Sequence, residues 1–477
     1  MPPPLDDQPP TDRTRWLAPA SAAAAIALGR ALQISSGTLS SGALLLVGVA
    51  LVLLTGAVAV GRPLRWAALD RPLVPVLAAV GVIAQVAQLY LKSPGWFVVP
   101  DPVFTAPFNT ALVVFAVVGA GLAFRPARPV TALLMAALLT THVVVGASII
   151  RHSPHPPIDV DVFQRTSALA LIDGANPYAL TFPNIYPHAQ FYGPGVSVDG
   201  RLQFGFPYLP LSLLVSLPAT VLAGDHRYAA LFAMELAAIL MAYARPQGFG
   251  ALAAVLYLTT PRVFYVLEMS WTEPLVVLGL AAVVYAACRR RQSVPWLFGG
   301  FIALKQYLVF AIPAALLLVT APTDRRASIR FLAKAGGVAA AITLPFVLWE
   351  PGAFVNSVVT LQFRQPFRPD ALSFLSWWAS LGHPPPSSAI AFLVAPAAAA
   401  LALWRLPRTA AGFAAAVALT FLAFFAFNKQ AFCNYYLFVI GALCIMMAAC
   451  EFEAPDQDRP WREPAESRPG VPANARG

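Results

Sequence analysis

The sequence predicts an all-α fold, a polytopic transmembrane helical bundle with a long outer loop carrying amphipathic interfacial helices. Three observations predict it. Apolar residues make up 58% of the 477-residue chain and charged residues only 11%, with a mean hydropathy of +0.67; no soluble core absorbs that much apolar surface. Apolar runs such as residues 41–60, 73–91 and 130–150 each supply the roughly 20 residues needed to cross about 30 Å of hydrocarbon. Arg and Lys stand singly at the ends of these runs, as topology signals do.

In chain order, residues 1–15 are Pro-rich and polar and lack the charged start, short apolar middle and small-residue cleavage site of a secretory signal. They read as a disordered cytosolic tail. Residues 16–450 form one multi-span membrane domain, and residues 451–477, rich in Pro, Arg and acids, form a second disordered cytosolic tail. Five spans are expected before a first large outer loop, residues 151–228. Arg13/Arg15, Arg62/Arg65/Arg71, Arg125/Arg128, Arg289 to Arg291, Arg325/Arg326/Arg330 and Arg405/Arg408 fill short loops, which the positive-inside rule assigns to the cytosol.

Every cluster obeys that rule only if two later apolar segments make no net crossing. Residues 206–223 carry Pro207, Pro210 and Pro218, which predicts a broken helix lying in the interface or dipping into it. Residues 293–321 would be about 42 Å long as one helix and hold Gly299-Gly300, Lys305-Gln306 and Pro313. A hairpin of two short helices fits better, with Lys305 and Gln306 at its outer apex. The remaining spans fall near residues 229–244, 248–267, 274–288, 330–349, 388–404, 410–427 and 432–450, with a second outer loop at 350–387. Both termini are then cytosolic, the membrane is the plasma (inner) membrane, and the polar residues of interest share its outer face.

The formal charge of +10 does not indicate nucleic acid, because the basic residues are dispersed. Cys288, Cys433, Cys444 and Cys450 contain no C-x-x-C pair and lie in or beside apolar runs, so they read as packing residues, not as a disulfide framework or metal site.

Three polar clusters remain. Pro154, Pro156 and Pro157 end the fifth span, and Asp159 can then cap a short surface helix running to about Asp173, closed by Gly174 and Asn176-Pro177. Two readings stay open: an N-cap with Asp161 as the i,i+4 partner of Arg165, or a pair of catalytic carboxylates. The company of His152, His155, Arg165, Tyr186, His188, Tyr192 and Arg201 in one long loop favours function. The turn Glu268 to Glu273, with Trp271 inside it, reads as an interfacial turn or as a second acidic wall. The third cluster is cationic: Arg364 and Arg368 around Gln365 in the second outer loop, with Lys305 and Lys429, break the positive-inside bias. They point to an anionic partner, for which phosphate is the natural choice. Asn434 and Tyr435 open the last span beside Lys429.

On these residues the chain resembles the GT-C superfamily of membrane glycosyltransferases, in particular the bacterial polyprenol-phosphate-mannose-dependent mannosyltransferases. The matching points are Ile158-Asp159-Val160, Gly174-Ala175-Asn176-Pro177-Tyr178, Phe206-Pro207-Tyr208-Leu209-Pro210, Lys305, residues 364–373 and residues 429–436, across residues 150–450. One departure is that five spans precede the acidic loop instead of the usual one. The resemblance implies transfer of a sugar, mannose first, from a polyprenyl-phosphate donor to a glycan or glycolipid acceptor at the outer membrane face. It implies Asp159 as general base with Asp161 as runner-up. Lys305, Arg364, Arg368 and Lys429 would hold the donor phosphate, and Glu268, Glu273, Arg165, Tyr178, Tyr208, Gln306, Gln365, Asn434 and Tyr435 would wall the site. A lipid phosphate is already a stable leaving anion, so no cofactor, nucleotide or divalent metal is expected. Partners are membrane lipids, the lipid-linked sugar and its acceptor, with no nucleic acid. The rival class is a transporter or flippase for a lipid-linked or anionic solute, for which His142 and Glu235 are the mid-span candidates.

Overall fold

A computed structural model describes residues 17–60, 70–98, 101–124, 127–186, 191–245, 248–319 and 325–450. The expectations for both tails and for Arg62, Arg65, Arg125 and His188 lie outside them. The described chain is a helical bundle with one very small sheet. Before the long loop come α1 (Leu17–Ser35), α2 (Ser41–Val60), α3 (Asp70–Leu91), α4 (Pro102–Ala123) and α5 (Arg128–His152). Among the described residues five helices, α1, α2, α4, α5 and the later α13 (Arg325–Trp349), are long and apolar enough to cross a membrane.

Capping sets several of the starts. The Asp101 carboxylate accepts the Phe104 amide at 2.7 Å with Pro102 at the first position of α4, where a missing N–H costs nothing.

In the long loop, α6 (Asp159–Ile172) is followed by three two-residue strands, β1 (Phe182–Pro183), β2 (Ser197–Val198) and β3 (Arg201–Leu202), in the order β1-β3-β2, all antiparallel. Asp199 and Gly200 turn β2 into β3 with φ of 49° and 73°, the left-handed pair that a two-residue hairpin requires. Phe163 of α6 packs on Phe182 and Phe204, seating the sheet against the helix.

Helix α7 (Pro210–Ala223) then leads through Gly224 to α8 (Arg227–Ala242). It runs unbroken through Pro218, where a broken helix was expected: Pro210 sits at its first turn, so only Pro218 removes an internal donor. Both its ends join segments at the same end of the bundle, because Tyr208 meets Tyr178 before it and Arg227 meets Ser153 after it.

Residues 248–267, expected as one span, are two helices, α9 (Gly250–Leu258) and α10 (Val263–Glu268). Pro261 and the left-handed Arg262 (φ 68°) separate them. After α11 (Glu273–Cys288) and α12 (Val294–Ile302), Lys305 is extended and two 3-10 segments, Gln306–Ala311 and Pro313–Leu318, run back. The result is a hairpin whose returning arm is 3-10, interrupted at Pro313. Short helices α14 (Pro351–Val355), α15 (Leu361–Arg364) and α16 (Phe374–Ser380) follow α13. The chain closes with α17 (Ala389–Arg405), α18 (Ala410–Ala426) and α19 (Cys433–Ala449). All of α18 and all of α19 except Tyr435 are buried, so these two helices form the centre of the core.

Tracing the helix ends divides the molecule. Leu39 bonds Asp370, Arg262 bonds Ser93, Arg227 bonds Ser153, Lys305 bonds Glu273 and Lys429 bonds Gln365. The 93–98 and 153–208 segments, the 268–273 turn, the hairpin apex and residues 364–374 and 428–435 therefore share one end. At the other end lie Arg289, bonded to Tyr243, and Arg408, bonded to Leu316.

Candidate active site

Asp159 is the first residue of α6. The preceding Ile158 holds the N-cap position and has no capping side chain, so Asp159 stands one residue inside the cap expected for it. Its Oδ1 accepts the Val160 amide at 2.8 Å, its Oδ2 accepts the Tyr192 hydroxyl, and its own amide donates to the Tyr186 hydroxyl at 3.1 Å. The residue is half-buried at the positive end of a helix. Burial pushes its carboxyl above the usual carboxylate range; the Tyr192 bond, the Val160 amide and the charge of Arg368 pull it back without cancelling the effect. The Tyr208 phenol faces the same space and is pushed well above its usual range by burial and then by the charge of Asp159.

Asp161 points elsewhere. Two residues apart on a helix, side chains do not share a face. Its oxygens accept Ser270 Oγ at 2.9 Å and Arg165 Nη2 at 3.0 Å, and His226 Nε2 stands 3.7 Å away. His226 is buried, which holds its imidazole below the usual range. The structural reading therefore applies to Asp161 and the open one to Asp159. Arg165 also bonds the Pro154 carbonyl and His155, so it ties the start of the loop to α6 and does not wall a site.

Glu268 needs a larger correction. It is fully buried, and its two oxygens accept the amides of Trp96 at 2.6 Å, Phe97 at 3.0 Å and Val98 at 2.9 Å. A Cβ on Gly95 would lie 2.5 Å from those oxygens, so the loop approaches only with glycine there. Glu268 is a staple between the 93–98 loop and α10, not a wall.

Glu273 and Lys305 are also withdrawn from ligand chemistry. They pair at 2.8 Å, 0% and 4% exposed, with the ammonium 4.2 Å from the centre of the Tyr208 ring. Lys305 was expected on a phosphate, but its charge is already compensated in a dry environment. It sits instead over the ring of Tyr208, whose phenol also feels the charges of Asp159 and Glu273.

Lys429 donates to the carbonyls of Gln362 at 3.0 Å and Gln365 at 2.7 Å, closing the C-terminal end of α15; burial lowers its ammonium from the usual range. Arg368 forms a two-pronged pair with Asp370 at 2.8 and 2.7 Å and lies between the rings of Phe191 (4.0 Å) and Phe432 (4.8 Å). Arg364 differs from these cations: it is exposed and its side chain meets no partner among the described residues. Its carbonyl lies 2.7 Å from where a Cβ on Gly193 would stand, so its backbone packs beside the loop that carries Tyr192.

Tyr178 is buried against Phe206, Phe346 and Phe354 and donates to the Tyr208 carbonyl at 2.9 Å. Gln306 donates to the carbonyls of Pro207 and Val358. Both are supports for the loop, not lining of a site. Tyr435 is half-buried against the rings of Tyr307 and Phe425, while Asn434 beside it is buried.

The sequence reading did not pick out Arg227, which is fully buried, pairs with Asp225 at 2.6 Å and donates to the carbonyls of Ser153, Ile150 and Glu268. The signal present was a charged Asp-x-Arg directly after the helix-ending Gly224. Beside the site end, α2 residues from Ser41 to Leu53 and Phe374 and Trp377 of α16 line an open, almost wholly apolar groove of about 520 Å³. No protein-family model, curated protein or solved structure matches the chain.

Proposed function

We propose that the chain is a polyprenyl-phosphate-dependent membrane glycosyltransferase of the GT-C type, with mannose as the first candidate sugar. The carrying observation is the state of Asp159. Asp161, Asp225, Glu273 and Asp370 each lie within salt-bridge distance of a basic side chain and Glu268 holds three amides, whereas Asp159 carries only a phenol and one amide of its own helix. A carboxylate so placed keeps free lone pairs for a ligand hydroxyl.

In this reading the acceptor hydroxyl oxygen forms a bond to the anomeric carbon and its proton passes to Asp159. The bond from that carbon to the phosphate oxygen breaks, its electron pair leaves with the lipid phosphate, and the sugar inverts in one displacement. Arg364 meets the departing phosphate, and Arg368, already paired with Asp370, contributes field at Asp159. The groove between α2 and α16 offers an apolar bed for the isoprenoid, since α16 follows directly on the segment that carries Arg368 and Asp370. Arg289 and Arg408 at the opposite end support, through the positive-inside rule, a cytosolic assignment for that end and an outer-face assignment for the site, with the plasma membrane as host.

A second reading, a transporter or flippase, draws on one observation. His142 Nδ1 lies 2.6 Å from Glu235 Oε1 inside the bundle, stacked on Phe264, and an ionisable pair at that depth is a hallmark of transport proteins.

Membranes carrying the full chain, supplied with polyprenyl-phosphate-linked radiolabelled mannose, are expected to transfer label to endogenous glycolipid. Asp159→Asn is expected to lower transfer about 10³-fold at unchanged protein level. Full transfer by that variant ends the base assignment. Loss of lipid or solute translocation on His142→Ala, with no transfer by wild type, establishes the transporter instead.

A further inference from the structure

The two phenols on Asp159 have different jobs. Helix α6 begins without a capping side chain on Ile158; the next amides are met locally, by Asp159 Oδ1 and the Ile158 carbonyl, and the first, that of Asp159, by what the tertiary fold brings to it. Tyr186 accepts the Asp159 amide and leaves the carboxylate alone, while Tyr192 donates to the carboxylate itself. They stand close together in the chain. The ring of Phe191 lies 4.9 Å from that of Tyr186, edge-on, and also carries the Arg368 guanidinium, so the three aromatic residues stand as a wall around the acid. Tyr192 packs in turn on Phe204, which belongs to the small core under the sheet.

Burial opposes the chemistry proposed above. A carboxylic acid that has taken a proton from its surroundings accepts none from an alcohol, and a half-buried aspartate is driven that way. A phenol is suited to counter this, because it donates a hydrogen bond without bringing a charge of its own. Burial and then the Asp159 charge push both tyrosines above their usual range, so both stay protonated, Tyr192 as donor to the carboxylate and Tyr186 as acceptor of the amide. A two-oxygen carboxylate has about four acceptor sites, and Tyr192 and the Val160 amide occupy two of them.

We infer that Tyr192 is a positioning residue that holds Asp159 in its charged form and in one rotamer, with the remaining lone pairs turned to the ligand, while Tyr186 anchors the start of α6. This rests on the reading of Asp159 as the base. Loss of a hydrogen bond to a charged group corresponds to a shift of about one pH unit.

The test uses the full chain in nanodiscs, as Tyr192→Phe and Tyr186→Phe. The protonated-carboxyl infrared band of Asp159, isolated by subtracting the D159N spectrum, gives its titration midpoint without any need for activity. Y192F is expected to move that midpoint up by about one unit and to lower kcat about tenfold on the acid side, with donor KM unchanged and kcat recovering as pH rises. Y186F is expected to leave the midpoint in place and lower thermal stability. An unmoved midpoint in Y192F, a kcat loss equal at every pH, or an equal shift in Y186F overturns the inference. A wild type that transfers no sugar while Y192F still shifts the band overturns the proposed activity and leaves the phenol–carboxylate coupling standing.

Discussion

Asp159 and Glu268 stand at the same end of the bundle, and both are carboxylates drawn out of water, yet their oxygens meet opposite fates. Glu268 is filled by three main-chain amides of another loop, whereas Asp159 is held by a phenol and by an amide of its own helix. The first arrangement converts an acid into a structural staple. The second leaves acceptor sites open on the carboxylate, with burial raising its proton affinity and Tyr192 limiting the rise. Polarity at a helix end thus does not distinguish a site from a staple; the direction of the lone pairs does.

The comparison breaks most cleanly on a pair of substitutions. Asp159→Asn is expected to remove sugar transfer, about 10³-fold, and to leave the melting temperature near that of wild type, since relief of a buried charge offsets the loss of one of the two acceptor oxygens that Tyr192 and the Val160 amide use. Glu268→Ala is expected to do the reverse first. Three amides lose their acceptor in a buried loop, which costs about 3 to 5 kcal/mol and lowers the melting temperature before any kinetic effect is read. Thermal unfolding in detergent and transfer assays on the same preparations separate the two. Equal stability losses would erase the distinction.

Lys305 sharpens the contrast on the cationic side. Lys305→Met alone strands the Glu273 charge in a dry site and is expected to cost about 3 kcal/mol, while Lys305→Met with Glu273→Leu recovers most of it. Were Lys305 a phosphate ligand, the single variant would raise donor KM at little cost in stability and the double would not recover. Arg364, exposed and without a partner among the described residues, belongs to the other class. Arg364→Ala is expected to raise donor KM about tenfold, less at high salt, with stability unchanged. An unmoved KM excludes it from the phosphate.

How much of this was legible in the residues follows the same division. The apolar runs located most of the helices, because that depends on composition that is local in the chain. The break between α9 and α10 was marked by Pro261. The divergence of Asp159 and Asp161 was legible as well, once the segment was taken as helix, since residues two apart on a helix face different ways. What the residues could not show was pairing at a distance. Glu268 meets Trp96 across 172 positions and Lys305 meets Glu273 across 32, and no spacing rule links such partners. Tyr192 stood among the notable loop residues, but that it reaches Asp159 across 33 positions depends on the path of the loop around the small sheet.

The smallest expected effect is one of sign, and it sets Asp159 against Asp225. For Asp225, burial raises the carboxyl, but the hydrogen bonds and charge of Arg227 win and hold it below the usual range. A depressed carboxylate adds stability above its unfolded value, and that stability is lost as pH falls through the folded value. Asp159 is raised, so its contribution runs the other way: the protonated form is favoured on folding, and that stability is lost as pH rises through the folded value. Asp225→Asn is therefore expected to destabilise at neutral pH, with the gap to wild type closing toward acid. Asp159→Asn is expected to be neutral or stabilising at neutral pH, with its advantage shrinking toward acid. Melting curves of the three proteins across the acid range read both slopes. Parallel slopes would mean that Asp159 is ion-paired like Asp225, and the feature that separates Asp159 from the structural carboxylates would be gone.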